Sequence, residues 1–292
     1  MLQIPNYPQI TAMKINKRPP ASFSGPSCTA RSSRKTLQGS TPSVVPLQSE
    51  AQINYGVNET VKIDVREFEL KSPKSILRFS PFSFELTREL PFACVVGPSG
   101  SGKTTFFKSL IPRFLQDWCD ESQVRREISI TVNNISINET QYRIGYAAQK
   151  PFFVSHRTTM DNLTAPFKWK GCQSPPETTI QETIQDFHLT AILNRYAYQL
   201  SAGERQRVNL ARMFLSQPQL VLMDECLSPM DEDLTSSIAN TIASKYCKKC
   251  RILIIGHRSS DLAPFSAKKL IFSYNDKTEN DNIQVRNVTV TI

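Results

Sequence analysis

The stretch GPSGSGKTT at residues 97–105 constrains this chain more than any other. Its glycines, serines, lysine and threonines offer almost nothing to a core. Yet it follows directly on the apolar run Ala93-Cys94-Val95-Val96. Gly97, Gly102, Lys103 and Thr104 satisfy the pattern G-x-x-x-x-G-K-[ST] without a gap. Glycines let the backbone wrap so that successive N–H groups point inward at phosphate oxygens. Lys103 can then reach the β and γ phosphates, and the Thr104 hydroxyl can ligate Mg²⁺. The flanks agree with this. A buried strand precedes the loop, and Thr104–Ile111 reads as a helix that Pro112 helps to stop. Gly97, Pro98, Ser99, Gly100, Ser101, Gly102, Lys103, Thr104 and Thr105 together form the candidate nucleotide loop.

Two more short apolar runs, Leu220–Met223 and Ile252–Ile255, are each followed by polar residues. Such runs suit parallel strands buried on both faces, and helical patterns lie between them, so the core reads as α/β. Val61, Ile63 and Val65 alternate with polar residues, and Phe68 and Leu70 follow after a one-residue slip in phase. That is a half-buried strand with a bulge. Further strands are expected at Phe82–Leu86 and Ile283–Ile292. Phe106, Phe107, Leu110 and Phe114 read as the core face of a helix.

Composition narrows the setting. No window approaches the ~18 consecutive apolar residues of a membrane-spanning helix, so work at a membrane would need another chain to hold the protein there. Seven cysteines are spread along the chain rather than set out as a disulfide framework, which points to a reducing compartment. The lone pair Cys247-x-x-Cys250 reads as ordinary residues near a helix end. The net charge of +9 is uneven: residues 1–50 carry six basic residues against the single acid Glu50. The remainder is only mildly basic, so no nucleic acid partner is expected. Residues 1–55 are rich in Ser, Thr and Pro and cannot bury enough apolar surface to offset their ordering entropy. They read as a disordered extension, with the composition of a plastid or mitochondrial targeting peptide or of a linker remnant.

A second anion site follows from LSAGERQR at 200–207. Ser201 and Glu204 form S-x-x-E, a capping box that satisfies two amides at a helix start. The helix then carries Val208, Ala211 and Leu215 on one face and stops before Pro218. The octapeptide resembles the signature motif of ATP-binding-cassette (ABC) ATPases, usually LSGGQ, with Ala202 for a glycine, Gly203 retained and Glu204 for the glutamine. Further motifs follow in the family's order. Leu220–Glu225 resembles Walker B, which makes Asp224 the metal ligand and Glu225 the residue that polarises the attacking water. Ser228-Pro-Met-Asp231 resembles the D-loop. Ile252–His257 resembles the switch-histidine strand, which sets His257 on the γ-phosphate. Gln149, in YAAQKPF, matches the Q-loop; its amide would sense metal and water, and the loop after it would face a membrane partner.

The resemblance spans roughly residues 61–275. It implies a P-loop NTPase core with a mainly parallel sheet, an antiparallel β subdomain and a small helical subdomain at about 150–200, within an ATPase domain at 56–292. There is no room for the coiled-coil insertion of chromosome-maintenance relatives. The wording MDECLSPMD and GHRSSDL resembles the fatty-acyl half-transporters and their bacterial relatives most. The resemblance implies ATP and Mg²⁺ as cofactors and a second ABC protomer whose signature, Ser201 through Glu204 with Asp231, covers the nucleotide held by the first. It also implies a separate transmembrane subunit and an intracellular, peripheral location. Two other readings stay open: a nucleotide-binding regulatory module that hardly hydrolyses, and a non-transport ABC ATPase. One departure favours the former. Leu70 or Ser72, with Phe68 nearby, stands where the family stacks adenine on an aromatic ring.

Overall fold

A computed structural model describes residues 60–72, 75–111, 123–137, 143–170, 174–256, 262–265, 269–279 and 283–292. The expected extension at 1–55, Pro112, Phe114 and His257 lie outside the described residues.

The site is built at one end of a row of parallel strands. In chain order the strands are β1 (Val61–Lys71), β2 (Ser75–Phe79), β3 (Phe82–Leu86), β4 (Phe92–Val96), β5 (Val124–Val132), β6 (Ile135–Ser136), β7 (Ile144–Ala147), β8 (Leu220–Asp224), β9 (Arg251–Ile255), β10 (Lys269–Glu279) and β11 (Ile283–Thr291). The helices are α1 (Lys103–Ser109), α2 (Thr159–Lys170), α3 (Glu177–Asp186), α4 (Ala202–Leu215) and α5 (Glu232–Thr241). The sheet runs β6-β5-β1-β2-β11-β10-β4-β9-β8-β7, with β3 beside β1. Strands β10, β4, β9, β8 and β7 pair in parallel, whereas β1 pairs antiparallel with β2, β3 and β5.

The antiparallel strands join the parallel ones in one continuous sheet. The link is β11, antiparallel to β10 on one side and parallel to β2 on the other. The phase slip in β1 is a register shift against β5 between Val65 and Glu67. The added residue turns Phe68 back into the core.

Side-chain alternation sorts the parallel strands onto two cores. Cys94, Val221, Met223, Ile252 and Ile254 pack with Val208, Ala211 and Leu215 of α4. Ala93, Val95, Leu220, Leu222, Leu253 and Ile255 pack with Phe106, Phe107 and Leu110 and with the β1–β3 side chains. Adjacent residues of one strand thus feed opposite faces, which is why these runs are continuously apolar. The 150–200 stretch holds α2, α3 and two short 3₁₀ turns. Cys247 and Cys250 are free thiols, bonded to the backbone carbonyls of Ala243 and Tyr246 respectively.

Candidate nucleotide site

The loop from Gly97 to Gly102 leaves the end of β4 and turns into α1 through Gly102, whose φ is +88°. Gly97 is required by close approach: a Cβ there would lie 2.3 Å from the carbonyl oxygen of Phe272 on β10. Lys103 is buried, and its ammonium donates to the Gly97 and Pro98 carbonyls, each at 2.8 Å. Burial lowers its pKa, and the nearby charges of Glu225 and Asp224 oppose the shift. The Ser101 hydroxyl is buried with no partner among the described residues. A buried hydroxyl of this kind is costly unless an acceptor or donor is supplied, and phosphate oxygens can accept from it. The donor chemistry of the loop therefore fits a polyphosphate.

Asp224 ends β8 almost wholly buried. Its two carboxylate oxygens accept from Thr104 Oγ1 at 3.1 Å and from the Tyr146 hydroxyl at 2.8 Å. Burial raises its pKa, and the Tyr146 and Thr104 hydrogen bonds oppose that shift. Burial and the Asp224 carboxylate in turn raise the Tyr146 phenol, which keeps it a donor. Glu225 follows in a left-handed conformation, φ +50°, unusual for a residue with a side chain. Its backbone N–H donates to Ile255 on β9 at 3.0 Å. Its carboxylate accepts from Gln149 Nε2 at 2.8 Å. Gln206 of α4 fixes the backbone around Gln149, donating to the Ala148 and Gln149 carbonyls at 3.2 and 2.6 Å.

The capping box forms at the start of α4. Ser201 Oγ accepts from the Glu204 N–H at 3.2 Å, and Glu204 Oε2 accepts from the Ser201 N–H at 2.8 Å. Burial would raise the Glu204 pKa, but the bonds from Ser201 and Arg195 outweigh it and the net shift is downward. Arg195 Nη1 donates to Glu204 Oε1 at 2.8 Å. Ser201 and Ala202 are exposed, with Gly203 and Glu204 less so. Among the described residues no hydrogen bond links 201–204 to the loop at 97–105. Asp231 caps α5, accepting from the Leu234 N–H at 2.9 Å.

The structure thus brings Lys103, Thr104, Gln149, Asp224 and Glu225 together and leaves Ser201–Glu204 facing outward. Residue patterns alone missed Tyr146, Gln206 and Arg195. Tyr146 stands three residues before Gln149, but nothing local signals that its hydroxyl meets Asp224. Phe68 offers no free ring face to a base: it is buried and stacked on Phe79, centroids 4.7 Å apart.

A family model described as ABC transporter matches residues 81–228, half of the chain. A molybdenum import ATP-binding protein of Saccharophagus degradans is 31% identical over 202 residues, which are 65% of this chain and 52% of that protein. An Fe(3+) ions import ATP-binding protein of Haemophilus influenzae is 32% identical over 162 residues, 53% of this chain and 44% of that protein. The chain spans about half the length of these relatives. A solved dimeric bacterial ABC transporter cassette superposes with a TM-score of 0.57 at 19% identity, over 72% of this chain and 93% of that one, and so shares the fold. The matched family model begins just before β3 and ends past the strained Glu225, taking in the loop, Gln149 and the α4 cap. With a P-loop NTPase fold beneath these residues, the chain belongs to the ABC transporter family.

Proposed function

We propose that this chain is the ATP-binding and hydrolysing subunit of an ABC transporter. In this reading two protomers close around two ATP molecules and drive a separate membrane subunit. One observation carries the reading: Lys103, Thr104, Asp224, Gln149 and Glu225 converge at the ends of β4, β7 and β8, with Thr104 bonded to Asp224 at 3.1 Å, Gln149 to Glu225 at 2.8 Å and Lys103 to the carbonyls of its own loop at 2.8 Å. Lys103 exchanges the carbonyls of its own loop for phosphate oxygens, which bear full charge and bind an ammonium more strongly. Thr104, Asp224 and Gln149 are the residues that would hold Mg²⁺, which neutralises phosphate charge when bound. The Glu225 carboxylate takes the proton of the attacking water, and Gln149 orients that carboxylate. His257 is assigned to the γ-phosphate on the motif order alone.

The outward-facing Ser201–Glu204 helix start supports a second protomer, because among the described residues no hydrogen bond links it to its own loop. Ala202, Gly203 and Asp231 belong to the same contact. For the membrane subunit, the groove beside the Gln149 loop is the candidate surface. It is lined by Pro151, Phe152, Phe153, Tyr198 and Arg205, and Phe152 and Tyr198 are 50% and 60% exposed. Pro151 of its lining stands two residues after Gln149 and Arg205 next to Gln206, so a partner seated there can feel the state of the site. The helical stretch at about 150–200 is the subdomain that carries it. A targeting role for residues 1–55 is part of the proposal, tested by N-terminal sequencing of the mature protein from isolated organelles.

The deciding experiment is phosphate release by the purified chain with ATP and Mg²⁺, over a concentration series. Turnover that rises with the square of protein concentration supports a dimeric ATPase. Nucleotide binding with no turnover at any concentration would replace it with a regulatory module.

A further inference from the structure

Strand β10 runs on past the end of β4, alongside the nucleotide loop, while β11 stays paired with β2 on its other side. Strand β4 pairs with β10 only over Lys269–Ile271, opposite Cys94–Val96. From Phe272 onward β10 pairs with β11 alone, through eight registered positions that end at Glu279 and Ile283. The contact of Gly97 with Phe272 marks where loop and hairpin first touch.

Just beyond it lies a built cluster that the phosphate chemistry does not use. Asp276 and Arg286 are directly opposed in register, and Tyr274 shares the Asp276 face of β10. The Arg286 guanidinium is locked in its plane. Nε and Nη2 donate to the two Asp276 carboxylate oxygens, both at 2.7 Å, and Nη1 donates to the Gly100 carbonyl at 2.6 Å. One face is covered by the Tyr274 ring, 4.3 Å from Cζ to centroid. The arrangement depends on Gly100: a Cβ there would lie 2.9 Å from Arg286 Nη1, and its φ of +77° also suits glycine. An ordinary surface ion pair contributes little and has no reason to reach across 186 residues to the backbone of the nucleotide loop. The Arg286 side chain keeps 31% of its surface accessible.

We propose that Arg286, sandwiched on Tyr274 and squared by Asp276, is the platform on which the base of the bound nucleotide stacks. A fixed guanidinium plane accepts a base π-face as an aromatic ring does. Phe68, turned into the core, leaves that role open. A stacked plane reads the area of a base rather than its hydrogen-bonding edge, so the site takes purine nucleoside triphosphates and discriminates weakly between adenine and guanine. The inference rests on the reading of residues 97–105 as the phosphate loop.

The test is equilibrium binding of ATP, GTP, CTP and inorganic tripolyphosphate, each with Mg²⁺, to the full chain and to Tyr274→Ala and Arg286→Lys. ATP and GTP should bind the wild type within about threefold of each other, and CTP more weakly. Each substitution should weaken ATP and GTP about tenfold and leave tripolyphosphate within twofold, which also reports an intact loop. Equal losses for ATP and tripolyphosphate would make the trio a brace of the loop and overturn the base platform. So would ATP binding unchanged in both variants. A wild-type chain that binds neither ATP nor tripolyphosphate would remove the phosphate-loop reading itself, and the platform with it.

Discussion

The side-chain amide of Gln149 donates to the carboxylate of Glu225 over 2.8 Å, across 76 residues of chain. Neither end is loose. Gln206 pins the Gln149 backbone from α4, and Glu225 is held at positive φ with its own N–H bonded to Ile255. Strain at a charged residue persists only where its surroundings over-determine it, and here they aim a carboxylate.

Glu225→Gln keeps the size and hydrogen bonding of this side chain and removes its basicity. Phosphate release should fall by about 10²–10⁴-fold, while ATP binding is retained. In sedimentation, ATP should then hold the variant as a dimer. Wild-type turnover would remove Glu225 from the proton-accepting role.

Lys103→Ala should weaken ATP binding by about 10- to 100-fold, the equivalent of roughly 1.5–3 kcal/mol for a hydrogen bond to a charged group. Calorimetric titration checks this. The loss should be as large for tripolyphosphate as for ATP, because the proposed role of Lys103 is to meet phosphate rather than base. An affinity loss confined to ATP would contradict that assignment.

Asp224 carries a stability cost that depends on pH. Burial holds its carboxyl above the usual range in the folded chain. An acid raised on folding binds its proton more tightly when folded. Its contribution to stability is therefore lost as pH rises from the unfolded-state value, about 4, through the folded one. Asp224→Asn should raise Tm at pH 7. The advantage should shrink as pH falls toward 4, and metal-dependent hydrolysis should be lost. Thermal melts between pH 4 and 8 measure it; an unchanged or lower Tm at pH 7 would show that the Thr104 and Tyr146 bonds outweigh burial.

Ser201→Ala removes the acceptor for the Glu204 N–H and leaves the Arg195–Glu204 ion pair in place. Loss of such a cap costs about 1 kcal/mol, which urea unfolding will register. The fall in turnover should exceed anything that this loss of stability explains, because in the proposed dimer the same helix start meets the nucleotide of a second protomer. Unchanged turnover at saturating protein would confine Ser201 to the cap.

The sequence by itself determined whatever depends on near neighbours. The loop between β4 and α1 follows from glycine spacing, and the Ser201–Glu204 cap from a separation of three residues. The bulge in β1 follows from one slip in an alternating pattern, and the burial of Phe106 and Phe107 from their place on the apolar face of a short helix. In each, a fixed backbone geometry turns spacing directly into contact. Only the tertiary structure decided which distant groups meet. It set the Tyr146 hydroxyl on Asp224, Gln206 on the Gln149 loop, β11 between β2 and β10, and Arg286 on Gly100. Those contacts depend on strand order and register across the whole sheet, which no local period encodes. For the same reason Phe68, an aromatic close to the expected base site, faces Phe79 in the core: its direction was set by the register of β1 against β5.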